Sequence, residues 1–234
     1  MAEKRIAKGI AIGYIGQILR IGTAEPEWIY DEGFPYDPDE KATVGDRASW
    51  AYWGTLNAGA QAIGHMPDAT KAYSHYRAGS GENLPVDLEK ACEEEERLEQ
   101  FFERIVNMAK GDAEGYINSI LEDPLSKSMY SDGRITLDFT SVLYAITGSD
   151  YPESENWRKA LGGFSCWSHG VIYYSESSYT LDIYLTVKDR YNFDINKKDM
   201  NTGTSDEVNG RFSTLGWAKE FTSVGTIHKV ISWS

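Results

Sequence analysis

Cysteine is nearly missing from this chain: Cys92 and Cys166 are the only two in 234 residues. They stand far apart and match no metal-ligand spacing, which leaves two buried thiols or one disulfide. Basic charge is also short, with 23 Lys and Arg against 36 Asp and Glu and a net charge of −13. No basic cluster interrupts that balance, so a nucleic-acid partner held through its phosphate backbone is not expected. No apolar run is long enough to cross a bilayer, which makes any membrane contact peripheral. The N-terminal stretch starts basic and turns apolar, but Lys8, Gln17 and Arg20 break it and no small-residue cleavage site follows. Sec export is therefore not expected, and action outside the cell would need another carrier.

What the chain does contain is apolar and aromatic mass, 41% hydrophobic and 13% aromatic residues, with fifteen Tyr and seven Trp. That composition belongs to a globular protein with extensive sheet. Residues 5 to 22 are rich in Ile and Gly and read as a segment packed on the body or a docking surface for a carrier. Pro26, Pro35 and Pro38 mark an ordered loop over 23 to 46. From Asp46 to Tyr76, Trp50, Trp53, Leu56, Ala60 and Ile63 recur at helical spacing, and Pro67 divides the stretch into two helices. The run His75 to Gly81 reads as a glycine stop for the second helix; a phosphate cradle would need a spacing that is absent. Leu88, Cys92, Leu98, Phe101, Phe102, Ile105 and Ala109 form the stripe of the next helix. Glu93 to Glu96 face outward in that scheme, as a solvated face or a contact for a basic partner. A short helix is expected over Ala113 to Leu121, ended by Asp123-Pro124.

After Ser131-Asp132-Gly133 the pattern changes to strands over Arg134 to Phe139, Val142 to Thr147, Gly163 to Tyr174, Tyr179 to Tyr191 and Phe221 to Trp233. Thr204 to Phe212 reads as loop and Leu215 to Phe221 as a helical turn. The expected class is α+β: a helical region over 1–130, then a mainly antiparallel sheet or half-barrel over 131–234.

The most informative stretch is Tyr179 to Asp194. Tyr179, Leu181, Ile183, Leu185 and Val187 alternate with Thr180, Asp182, Tyr184, Thr186 and Lys188, the pattern of a strand with one buried face. Continued, that face receives Asp189, where an unpaired buried carboxylate costs several kcal/mol, roughly, and so finds partners, shifts its pKa or holds a cation. The plainer alternative ends the strand at Lys188 and makes Asp189 a solvated turn residue. Downstream, Asp189, Tyr191, Asn192, Asp194, Asp199, Asp206 and Arg211 gather around the strand end and its loop. Asp189 and Asp194 are candidate ligands for a hard cation such as magnesium, with Arg211 a candidate contact to phosphate.

The segment Asp189-Arg190-Tyr191-Asn192-Phe193, its preceding strand and the Leu215-Gly216 turn resemble the active-site segment of colicin M and related bacteriocins. His75-Tyr76 with Gly79-x-Gly81 and Val86-Asp87 resembles the start of that family's activity domain, so the likeness runs in patches from about residue 70 to 233. It implies an antibacterial toxin hydrolysing the peptidoglycan precursor lipid II with magnesium, an Asp-x-Tyr-Asp-Phe motif and a His-Arg pair supplying the chemistry. Asp189 and Tyr191 carry over as catalytic residues. Asn192 stands where the family has its second acid, and Lys197, Lys198 and Asp199 stand in the loop in place of the His-Arg pair, leaving Arg211 as the candidate arginine. The resemblance further implies an immunity protein as partner and a periplasmic site of action. With little chain ahead of the matched region, injection by a secretion-system carrier fits better than receptor uptake. Two other readings remain: a non-catalytic β domain binding an envelope component or a protein, and a structural component of a phage tail or secretion apparatus.

Overall fold

In a computed structural model that describes residues 18–30, 33–130, 132–198 and 205–234, the strands are β1 Leu19–Ile21, β2 Leu84–Pro85, β3 Arg134–Ser141, β4 Tyr144–Ala145, β5 Ser165–Ser175, β6 Ser178–Tyr191 and β7 Phe221–Trp233. They form one sheet in the order β1-β3-β5-β6-β7-β2, with β4 paired to the start of β5. All pairs are antiparallel except β2 with β7. The alternation along β6 is realised as a face: Leu181, Ile183, Leu185 and Val187 are fully buried. Asp182 and Lys188, on the other parity, are half-buried rather than open, because His228 and Glu25 lie against them.

The helices are α1 Val44–Ala62, α2 Pro67–Ala78, α3 Leu88–Glu94, α4 Glu96–Glu122, α5 Pro124–Met129, α6 Glu155–Ala160 and α7 Asp206–Thr214. α4 buries Leu98, Phe101, Phe102, Ile105, Val106, Ala109, Ala113 and Ile117, a helical stripe that joins the inner residues of β6 in one apolar core. Phe101 and Phe102 pack on Phe164 with ring centroids 5.6 and 6.4 Å away. A second, smaller cluster gathers Tyr76, Phe212 and Phe221 with Trp50, Trp53, Tyr73, Tyr191, Phe193 and Trp217 around it. α3 comes close to the sheet at Gly225, where an added Cβ would sit 2.5 Å from Leu88 Cγ. Both cysteines are free; burial pushes the Cys92 thiol up to about 11 and raises Cys166 as well.

Several sequence expectations are corrected. The chain does not divide into a helical region and a sheet region at 130: β1 and β2 come from the first part and close both edges of the sheet, while α6 and α7 lie within the second. α7 replaces the loop expected over 204–212; Ser205 caps it by accepting from the Glu207 N–H. The long helix does not stop before Ala113, and its break falls at Glu95, whose backbone is extended. Glu95 is also buried, not outward-facing, because its carboxylate accepts the backbone N–H groups of Glu153 and Ser154. The strand expected over 142–147 shrinks to Tyr144–Ala145. As expected, Gly79 ends α2 in a left-handed conformation, φ 73°. Of the Ile- and Gly-rich segment 5–22, only its end lies among the described residues, where Asp112 accepts from the backbone of Ile18 and Leu19.

Candidate functional site

β5 begins at Ser165, which pairs with Lys188. Beyond that rung β6 continues through Asp189, Arg190 and Tyr191 with β7 alone beside it, Asp189 opposite Ser223 and Tyr191 opposite Phe221. The place of the missing neighbour is a cavity of about 920 Å³, closed by the ends of α1 and α2, by α6, by residues 28–30 and by the segment following β6. The strand thus does not end at Lys188, and the buried parity delivers a carboxylate: Asp189 is 8% exposed and lines the cavity. Gly162 lies beside it, where an added Cβ would be in ordinary contact, 3.4 Å from Asp189 Oδ2.

Tyr191 lines the same cavity. Its ring stacks on Phe221 at 4.8 Å between centroids. Burial raises its hydroxyl pKa, and the neighbouring Tyr73, Tyr76, Asp189 and Asp206 add to that, so it stays a protonated donor. Tyr73, whose hydroxyl donates to Asn209 Oδ1 at 2.7 Å, is pushed up to about 12 by burial. Asn192 also lines the cavity, and its Nδ2 is buried with no hydrogen-bond partner among the described residues. Asp194 lines the wall, but its carboxylate is ion-paired with Lys197.

Arg211 is not brought to this place. It does not line the cavity; its Nε donates to Asp46 at 2.6 Å and a terminal nitrogen to Glu40 at 2.9 Å, which ties α7 to the start of α1. Asp46 is itself the reciprocal partner of Thr43 in the capping box of α1. Its pKa is lowered to about 2, first by the Arg211 hydrogen bond. Arg211 thus ties α7 to the start of α1 and is not among the cavity residues where a phosphate contact was expected. Asp199 lies outside the described residues, and Asp206 lines the wall.

What the sequence reading missed is the rest of the lining. Arg158, Lys159, Lys188, Arg190, Lys197 and Lys198 line the cavity with Glu155, Asp189, Asp194 and Asp206, while Glu25 and Glu220 pair with Lys188 and Arg190 from outside the lining. Lys188 is held by Glu25 at 2.8 Å and lies over the Trp28 ring, and Lys159 pairs with Glu155 at 2.7 Å. Trp28, Ile29, Tyr30, Trp53, Leu56 and Met66 make an apolar portion of the wall. No local pattern marks Arg158 or Lys159, since tertiary packing alone brings α6 to the end of β6. Among the described residues no three His, Cys, Asp or Glu side chains gather as a metal-ligand set. A cation enclosed by protein ligands does not fit the described residues; a magnesium ion there would have to take most of its ligands from water and substrate.

No family model matches the sequence, and no curated protein matches it. Among solved structures, PaeM, a colicin M-like bacteriocin produced by Pseudomonas aeruginosa, is similar at 17% sequence identity and a TM-score of 0.37, over 70% of this chain and 50% of PaeM. This chain thus spans about half the length of that protein. A likeness at that level carries no functional argument.

Proposed function

We propose that the chain is an antibacterial toxin that hydrolyses lipid II at its lipid-pyrophosphate linkage, acting in the periplasm of the target cell. The observation that carries this reading is Asp189: a carboxylate on the buried face of a strand, lining a cavity with a charged portion that holds several Lys and Arg and an apolar one. Such a wall suits a ligand with a phosphate head and a lipid tail. The resemblance of Asp189, Tyr191 and Phe193 to the colicin M segment supports the choice among such ligands.

In this reading a water attacks phosphorus and gives its proton to Asp189 while the phosphorus–oxygen bond to the leaving group breaks. Tyr191, kept protonated by burial, and Asn192 donate hydrogen bonds to oxygens that gain charge. Magnesium, bound through Asp189 and substrate oxygens, would neutralise phosphate charge. An immunity protein and a secretion-system carrier complete the proposal as partners.

The test is expression in a susceptible bacterium with and without a periplasmic export signal, paired with lipid II cleavage by the purified protein in magnesium. Lysis only from the periplasm, lost in Asp189→Asn, is the expected result. Equal killing by Asp189→Asn and the parent would instead favour a non-catalytic envelope-binding domain, the reading that Asn192 in the place of the family's second acid supports.

A further inference from the structure

A helix at a protein surface normally turns its apolar side to the core and its polar side to water. α1 departs from that rule. Its one buried residue is the charged Asp46. Asn57 and Gln61 also turn toward the body of the protein, where their side-chain amides donate to Ser74 Oγ at 2.7 and 2.9 Å. Trp50 and Trp53 share that side. The outward side holds Tyr52 and Leu56 at 60% and 45% exposure, with the small exposed residues Ala48, Ala51 and Ala58 around them, and Ile63 just past the helix end is 80% exposed. From Ala48 to Gly64 there is no Asp, Glu, Lys, Arg or His, in a chain that is 25% charged.

The large outward groups are not spread around the helix. Tyr52, Leu56 and Ile63 are spaced by four and seven residues, which sets them on one stripe. The neighbouring stripe, Trp53 and Ala60, lines the cavity, and so does Leu56. A side chain that lines a cavity and is also open to solvent stands at its mouth, and Tyr30 does the same at 38% exposure. The outward stripe of α1 thus runs on into the apolar wall of the cavity. An exposed apolar run of this kind marks an interaction surface.

We infer that this stripe is seated on a lipid bilayer surface, so that Tyr52, Leu56 and Ile63 enter the boundary between headgroups and acyl chains and the cavity mouth opens against it. The inference rests on the proposed function for what this docking serves, the passage of a lipid-linked pyrophosphate from the bilayer toward Asp189. An uncharged face suits that boundary, which accepts apolar groups and aromatic rings and excludes charge. A second copy of the chain on the same stripe would stand over Leu56 and shut the mouth, whereas a bilayer covers the stripe and offers the mouth a ligand with an apolar tail. Since the chain carries a net charge of −13, apolar burial and not charge attraction holds it, and zwitterionic lipid is the surface that it fits.

The experiment is co-sedimentation of the purified full chain with phosphatidylcholine vesicles, with thermal melts and sedimentation velocity of the free protein alongside. The parent should partition onto the vesicles. Ile63→Glu and Tyr52→Glu, at positions that do not line the cavity, should each weaken partitioning by about tenfold or more, and Ile63→Trp should strengthen it by about threefold. The melts should match that of the parent, because both side chains are solvated in the free protein. A parent that stays in solution, or partitioning that Ile63→Glu and Tyr52→Glu leave unchanged, overturns the surface. So does a parent dimer that Ile63→Glu converts to monomer with no vesicle binding by either, a result that assigns the stripe to a second copy. Lipid II cleavage by the same samples, in detergent micelles and in vesicles, separates the two claims. Partitioning that depends on Tyr52 and Ile63 without cleavage by the parent keeps the surface and removes the hydrolase. Cleavage retained by both substitutions in micelles and lost in vesicles supports the two together; vesicle cleavage that neither substitution lowers removes the surface and keeps the hydrolase.

Discussion

The two ends of β6 obey different rules. Over Leu181–Val187 the strand has β5 on one side and β7 on the other, and every inner side chain is an aliphatic group at 0% exposure. Its outer face is equally regular: Thr180 bonds Ser232, Thr186 bonds Thr226, and Tyr184 stacks between His169 and His228. Past Lys188 the neighbour β5 is gone, and the same inner face presents Asp189 and Tyr191 to a cavity. A face flanked by two strands becomes core, while the same face missing one neighbour becomes a wall. The difference lies in how far the next strand runs, not in the strand that carries the residues.

Asp189→Asn should sharpen that contrast most. The change keeps size and shape and removes the charge and the basicity, so lipid II cleavage should fall by about a hundredfold or more. Stability should change little, which a denaturant melt checks. Ile183→Ala, three rungs into the flanked part, should do the reverse. It empties a fully buried position and should cost about 2–5 kcal/mol, with activity per folded molecule unaltered. If Ile183→Ala proved mild and Asp189→Asn unfolded the chain, the division of β6 into core and wall would be wrong.

How much of this was legible in the sequence follows the same division. The inner parity of β6, the apolar stripe of α4 and the glycine stop at Gly79 each depend on neighbours a few residues away, and the periodicity gives them directly. β1 and β2 are too short to leave a period, and they join the sheet through pairings with residues more than a hundred positions later. Glu95 looks like one of four solvated acids until the loop at Glu153 and Ser154 folds over it. At the site, Asp189 is visible as a break in a rule, and Tyr191 and Asn192 come with it. Arg158 and Lys159 are not visible, because nothing local distinguishes them from ordinary helix residues. Arg211 misled for the converse reason, since its nearness in sequence to the loop acids says nothing about Glu40 and Asp46, its partners from the first part of the chain.

That reassignment gives the next prediction. Arg211→Ala should lower stability by about 1 kcal/mol, a figure discounted because the guanidinium is partly solvated, and leave cleavage by the folded protein unchanged. Asp46 has its folded-state pKa depressed to about 2 against an ordinary value of 3.8, chiefly by Arg211. A depressed carboxylate stabilises the fold above its unfolded pKa and loses that contribution as pH falls through its folded pKa. The gap in melting temperature between parent and Arg211→Ala should therefore be full at pH 7 and shrink as the pH is lowered toward 2. A gap independent of pH would mean that the ion pair is not what Arg211 contributes.

The smallest effect belongs to Asp182→Asn. Asp182 and Asp189 lie on one strand, and both are acids, but seven positions put them on opposite faces: Asp182 is half-buried on the outer face, where its Oδ1 meets His228 Nε2 at 2.7 Å. Both partners are substantially solvated, and such pairs contribute about 0.5 kcal/mol or less. The tight backbone contact at this point is untouched, because Gly170 approaches the Asp182 carbonyl oxygen rather than its side chain. Asp182→Asn keeps a hydrogen-bonding oxygen for His228 and should leave the melt, toxicity and lipid II cleavage all close to the parent. It is thus the control for Asp189→Asn, the same chemical change on the same strand with only the face altered. Should Asp182→Asn abolish cleavage as well, the loss would follow from removing an acid from β6 in general, and neither the missing β5 neighbour nor the cavity would be needed to explain what Asp189 does.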